Sequence, residues 1–168
     1  TTLLPTLLPA LITLAHQAGE AIMQVRSAGY ATDYKSDQSP VTAADHAAHH
    51  LIAAGLTALT PDVPLLSEEG AHIPWDTRQQ WHTLWVVDPL DGTKEFIQGH
   101  DSFTVNIALV QNGAPILGVI HAPATGDTYI GSSEGAWKLS VTQPQAWQHI
   151  QVRPRPTYLP IVLASRNH

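Results

Sequence analysis

Cysteine is absent from the 168 residues, which excludes a disulfide framework, a thiolate zinc site and a cysteine nucleophile. A reducing cytoplasm is then the simplest expected location, with a peripheral place at the inner membrane left open. Charge is also scarce: Asp, Glu, Lys and Arg make up 13% of the chain against 43% hydrophobic residues, the opposite of a disordered composition. Eight Lys+Arg face 14 Asp+Glu, a formal net charge of -6, so no general basic surface exists to hold a nucleic-acid backbone. A small anionic ligand is still permitted. Long uninterrupted apolar runs are missing too. The leucine-rich opening from Leu3 to Leu14 is broken by Pro5 and Pro9, is too short to span a bilayer and has no preceding Lys or Arg, so neither a transmembrane segment nor a signal peptide is expected. Walker loops, dinucleotide fingerprints, basic aromatic patches, internal repeats and low-complexity tracts are likewise not found.

What is present is of a length for one domain, or one domain plus part of another. Leu4, Leu7, Leu8, Leu11, Ile12, Ala15, Ala18, Ile22 and Val25 recur at three and four, the buried face of one amphipathic helix. Gly29 to Pro40 reads as a loop or short hairpin. Thr42-x-x-Asp45 resembles a capping box and opens a second helical stripe, Ala47, Ala48, Leu51, Ile52, Leu56 and Leu59, which Thr60-Pro61 ends. Val63 to Ser67 predicts a short buried strand, Gly70 to Trp81 a loop, and Leu84 to Val87 a strand that stops at Asp88-Pro89. From Phe103 the period becomes two: Phe103, Val105, Ile107 and Leu109 alternate with Thr104, Asn106 and Ala108. Asn112-Gly113 supplies a turn, and Ile116 to His121 returns as the partner strand. Shorter strands are expected near Asp127 to Ile130, Ala136 to Leu139 and Trp147 to Val152. Two helices before an antiparallel meander predict an α+β fold, with both helices on one face of the sheet. Pro154, Pro156 and Pro160 read as a linker, and Ile161 to Ala164 as a new strand. The expected division is therefore 1–157, a metal-binding α+β domain, and 158–168, the first strand of a second, α/β domain that is mostly absent.

The informative chemistry is carboxylate. Ser67-Glu68-Glu69 ends one predicted strand, and Asp88-Pro89-Leu90-Asp91-Gly92-Thr93 ends another. Acidic groups at adjacent strand ends repel unless protons or a cation intervene. Oxygen-only donors suit Mg²⁺, which keeps waters and substrate phosphate in its shell. In that turn Asp88, the Leu90 carbonyl and Asp91 can face one ion. Each dipeptide taken alone is also an ordinary turn former, and Glu68-Glu69 alone an ordinary solvated corner.

Asp88-Pro89-Leu90-Asp91-Gly92-Thr93, preceded by Trp85-Val86-Val87, resembles the signature of the inositol monophosphatase-like, lithium-sensitive, metal-dependent phosphatases. Pro40-Val41-Thr42-Ala43-Ala44-Asp45 and Leu66-Ser67-Glu68-Glu69 match in the family's order and spacing. Lys94-Glu95-Phe96 resembles the branch of CysQ-type 3'(2'),5'-bisphosphate nucleotidases, where inositol monophosphatases proper carry Thr-Asn-Phe. Phe103 to Leu109 and Ile116 to Val119 extend the likeness, which covers Lys35 to His168. The resemblance implies a layered αβαβα sandwich. It makes Glu68, Asp88, the Leu90 carbonyl and Asp91 ligands of two or three Mg²⁺ ions. Thr93 and Asp45 would orient and deprotonate the attacking water, with Glu68 counted beside them as catalytic. Asp45 keeps its second reading as a helix cap. Asp91, Gly92, Thr93 and Lys94 would lie at the substrate, together with Ser165 and His168, whose segment Ser165-Arg166-Asn167-His168 departs from the family pattern at Asn167. The implied reaction removes the 3'(2')-phosphate of adenosine 3'(2'),5'-bisphosphate by in-line attack of water.

The family's remaining ligand, an aspartate in a Trp-Asp motif of the second domain, has no counterpart after residue 93. Trp75-Asp76 has the letters but precedes the signature loop. The 168-residue chain alone is therefore expected to be inactive or nearly so. Inositol monophosphatase activity and a non-catalytic metal- or anion-binding fragment are the alternatives. A haloacid dehalogenase-like reading fails because Asp88 and Asp91 are one residue too far apart. His46, His49 and His50 share a predicted helix, but no third zinc ligand accompanies them, so surface or packing roles are expected. Neither composition nor motifs specify an oligomeric state.

Overall fold

A computed structural model describes residues 4–28, 32–34, 40–140, 143–154, 156, 157 and 159. The domain boundary at Tyr158, the strand at Ile161 to Ala164, and Ser165 and His168 lie outside the described residues.

The first helix, α1 (Leu4–Ala28), buries Leu7, Leu11, Ala15, Ala18 and Ile22 of the stripe its three-and-four spacing predicts, and Leu14 besides, while Leu8, Ile12 and Val25 are partly buried. Two short strands, β1 (Thr32–Tyr34) and β2 (Pro40–Thr42), pair antiparallel as a hairpin. Helix α2 (Ala43–Leu59) then buries Ala44, Ala48, Ile52 and Leu56, a strict four-residue stripe. None of the helices among the described residues is long and apolar enough to cross a membrane.

A seven-stranded sheet follows in sequence order: β3 (Leu65–Ser67), β4 (Thr83–Asp91), β5 (Thr104–Gln111), β6 (Ala114–Ala122), β7 (Asp127–Ser132), β8 (Gly135–Ser140) and β9 (Gln143–Ile150). All neighbours are antiparallel except β3 and β4, which run parallel. The period-two reading of β5 holds: Val105, Ile107 and Leu109 are buried, and Asn112 and Gly113, both at positive φ (51° and 77°), form the hairpin turn to β6. Helices α1 and α2 pack together on one face of the sheet, over Trp85, Val87, Val105, Ile107, Leu117 and Val119 in a single core. The fold is α+β.

Two expectations are corrected. Gly70 to Trp81 is not all loop: Pro74, at φ -58°, leads into a one-turn helix, α3 (Trp75–Arg78), that opens with Trp75-Asp76. Strand β4 does not stop at Asp88-Pro89 but continues to Asp91, and a short helix, α4 (Thr93–Ile97), begins after Gly92. Proline interrupts the ladder without ending the strand, because the chain passes it in a bulge.

Candidate metal and phosphate site

The bulge sets the site. Asp88 pairs with Asn106 and Asp91 with Thr104, so three steps along β4 answer two along β5. In a regular strand, residues three apart point to opposite faces. The extra residue returns Asp91 to the face that carries Asp88, and Asn106 on that face donates from Nδ2 to Asp91 Oδ2 at 3.3 Å. Pro89 and Leu90 are both buried beneath the turn, as a bulge requires. Gly92 closes it at φ 92°, where a Cβ would stand 2.7 Å from the Ser102 carbonyl oxygen. Only glycine meets both conditions.

Strand β3 brings the third carboxylate. Ser67 lies beside Val87 in parallel register, and the Glu68 N–H donates to the Val87 carbonyl at 3.0 Å, so Glu68 sits next to Asp88. The Gly70 N–H donates to the Ser67 carbonyl at 3.0 Å and fixes the turn that carries Glu68. Two contacts from α2 reach the same turn: His49 Nδ1 and Ser67 Oγ share a hydrogen bond of 2.9 Å, and His46 Nδ1 lies 4.0 Å from Glu69 Oε2.

Charge accumulates here. Burial pushes the Asp88 carboxyl up to about 7, helped by the nearby charges of Glu68 and Asp91 and by a hydrogen bond with Glu68, and opposed by the Leu90 N–H. Asp88 Oδ1 is buried and has no hydrogen-bond partner among the described residues. Among the described residues no group of three or more His, Asp or Glu side chains is arranged to hold a metal ion as it stands. Oxygen donors, a shielded oxygen lacking a partner and concentrated negative charge together fit a hard divalent cation.

The other expected residues fall around this centre. Thr93 Oγ1 donates to the Leu90 carbonyl at 3.1 Å, which places hydroxyl and carbonyl together at the start of α4. Asp45 is buried in the first turn of α2. Lys94 is exposed on α4. No motif assigns Asn106 a role, Ser67 enters only as part of the Leu66-Ser67-Glu68-Glu69 match, and His49 carries only an expected surface or packing role. Asn106 left one signal, since it is the polar residue opposite the Asp88 turn once β4 and β5 are paired. Beside Glu68 and Asp88, an open depression of about 500 Å³ runs over the outer face of the sheet, floored by Val86, Ala108, Gly118 and Ile120.

Residues 4–166 match the inositol monophosphatase family. The "3'(2'),5'-bisphosphate nucleotidase CysQ" of Escherichia coli (strain K12) is 49% identical over 157 residues, covering 92% of this chain and 61% of that protein. The crystal structure of CysQ from Bacteroides thetaiotaomicron, "a bacterial member of the inositol monophosphatase family", superposes with a TM-score of 0.71 at 38% identity, over 88% of this chain and 58% of that one. An "IMPase/NADP phosphatase complexed with Mg2+ and phosphate" shares the fold, with a TM-score of 0.72 at 22% identity over 82% of this chain and 52% of that one. The chain thus spans about three-fifths of the length of the curated relatives it matches. With residues 4–166 of the chain matched by the family's model and relatives at this identity, the chain belongs to the inositol monophosphatase family.

Proposed function

We propose that this chain supplies the metal- and phosphate-binding part of a Mg²⁺-dependent phosphomonoesterase, acting on the 3'(2')-phosphate of adenosine 3'(2'),5'-bisphosphate. One observation carries the reading: a β-bulge and a parallel strand end gather Glu68, Asp88 and Asp91, with one Asp88 oxygen shielded and lacking a partner among the described residues. The nucleotide substrate is supported by the name and identity of the Escherichia coli relative and by Lys94-Glu95-Phe96.

In this reading Glu68, Asp88, Asp91 and the Leu90 carbonyl hold the cations, two or three of them in the intact site. Bound Mg²⁺ supplies neutralisation of phosphate charge and a more acidic water. The chain's own residues do the rest. Gly92 lets the backbone come close to the phosphate. The Thr93 hydroxyl orients the attacking water and passes its proton toward Asp45, which is buried in the first turn of α2. Lys94, Ser165 and His168 contact the substrate. No covalent intermediate on the protein is needed.

The test pairs binding with turnover. The 168-residue chain is expected to bind Mg²⁺ in calorimetry and to release phosphate from adenosine 3',5'-bisphosphate slowly or not at all. Rapid release would overturn the half-site reading, and no Mg²⁺ binding would overturn the metal reading. Faster release from inositol 1-phosphate than from the nucleotide would overturn the substrate assignment.

A further inference from the structure

We infer that His49 is a positioning residue for the metal site, holding the Glu68 turn in place through its hydrogen bond to Ser67. The inference rests on the metal reading above and extends it to a residue outside the ligand set.

Helix α2 carries Asp45 and His49 one turn apart, on the same side of the helix. His49 reaches across to Ser67 Oγ at 2.9 Å, and His46, one residue after Asp45, stands 4.0 Å from Glu69 Oε2. One helix therefore holds Ser67, immediately before Glu68, by a hydrogen bond and passes close to Glu69, immediately after it. The backbone of that turn is fixed from the sheet, by the Val87 carbonyl at the Glu68 N–H and by the Ser67 carbonyl at the Gly70 N–H. Strand β3 has only three residues and lies at the edge of the sheet, so among the described residues it has a strand neighbour on one side alone. A strand this short holds register weakly, and a slip would carry Glu68 away from Asp88. The contact from α2 supplies the second side. It also ties Glu68 to the helix that bears Asp45, fixing the relative placement of a metal-facing carboxylate and the proposed proton acceptor.

The chemistry of the pair suits a fixed link. Both partners are half-buried, and either atom can donate the shared hydrogen, so the bond survives in either neutral tautomer of the ring. Burial holds His49 below the usual histidine range, abetted by His50 and His46 and opposed by Glu69, which keeps the ring neutral at pH 7. His50, exposed on the neighbouring face, lies against the His49 ring at 5.3 Å between centroids, makes no hydrogen bond or ion pair with the Glu68 turn among the described residues, and serves as the control.

The probe is Mn²⁺ alone, titrated into the 168-residue chain and followed by the electron paramagnetic resonance of the free ion. Groups that orient metal ligands from outside the coordination shell typically account for about 10–100-fold in affinity. His49→Ala and Ser67→Ala should each weaken Mn²⁺ binding about 10-fold, and the double variant should be no weaker than either single one. His49→Asn, whose amide reaches where Nδ1 stood, should recover most of the loss, and His50→Ala should change nothing. Melting temperatures without metal separate positioning from packing: Ser67→Ala removes one oxygen and is expected to leave the melt nearly unchanged. Unchanged Mn²⁺ affinity in both single variants overturns the inference, as do losses that multiply in the double variant or that simply follow the melting temperature. If wild type and Glu68→Gln bind Mn²⁺ equally, or wild type does not bind, the metal reading itself fails and this inference fails with it.

Discussion

Gly92 shows how one residue without a side chain can hold the site open. Its φ of 92° and the 2.7 Å approach of the Ser102 carbonyl to any added Cβ mean that Gly92→Ala must strain the backbone and push the loop away. A loss of about 2 kcal/mol or more is expected in urea denaturation, the size of a forced unfavourable dihedral plus a clash. An unchanged midpoint would show that the turn relaxes freely. Asp88 has the opposite character. Its ionised carboxylate is held near Glu68 and Asp91, so the folded state tolerates it poorly. Asp88→Asn should therefore raise the stability of the metal-free chain by about 1 kcal/mol, kept small because the residue is partly exposed and screened. Mg²⁺ is expected to raise the melting temperature of the wild type, and Asp88→Asn should abolish that rise. A destabilised Asn variant would argue that Asp88 serves structure. At this scale the carboxylates were legible, because Asp-Pro and Asp-Gly turns at strand ends are visible in a linear sequence. Asn106 and Ser67 were not, since a small polar residue on a strand reads alike whether it faces water or a carboxylate.

Among the elements, the contact of α1 with β6 and β7 carries the clearest pH signature. His16 Nε2 and His121 Nδ1 both meet Thr128 Oγ1, at 2.8 and 3.0 Å, and the two rings lie 4.5 Å apart. One hydroxyl hydrogen serves only one ring, so at most one ring accepts from Thr128, and the ring that accepts is neutral. Gly19 lets α1 come close, since a Cβ there would be 2.6 Å from the His121 ring. Burial, and then the proximity of His16, lower His121 from 6.5 to about 4, against a backbone carbonyl at Asp127 that favours the proton. The unfolded chain thus takes up a proton at higher pH than the folded one. The neutral ring's contribution is full above pH 6.5, declines as pH falls to about 4 and is gone below it, and amounts to about 3 kcal/mol at most. Denaturant midpoints measured between pH 7 and 4 should fall, and His121→Gln should flatten that slope; an equally steep slope in the variant would place the acid sensitivity elsewhere. Helices and the long strands were legible from period alone, as in α1, α2 and β5. The bulge and α4 were not, because a bulge exists only relative to the partner strand, and a five-residue helix is too short to show a period.

For the molecule as a whole, the two faces of the sheet differ. One is sealed by α1 and α2, while the other leaves Val86 and Ile120 38% and 45% exposed around the open depression beside the carboxylates. Contiguous apolar surface of this kind favours association. In the isolated chain, Val86→Thr with Ile120→Thr should reduce self-association in sedimentation without lowering the melting temperature. Persistence of the same oligomers would show that this face is not the sticky one. The sequence pattern predicted both helices on one face, yet it could not say what meets the other, because alternation marks a strand's two sides without naming their neighbours. The assignments of Ser165 and His168 rest on resemblance alone, as those residues lie outside the described part of the chain.

The central claim is that carboxylates from two strand ends converge to bind divalent cations. Calorimetric titration of Mg²⁺ into the wild-type chain and into Glu68→Gln, at a pH where Asp88 is ionised, tests it most directly. Saturable binding in the wild type, weakened at least about 10-fold in Glu68→Gln, is the predicted result. Superimposable isotherms, or no heat from either protein, would contradict it.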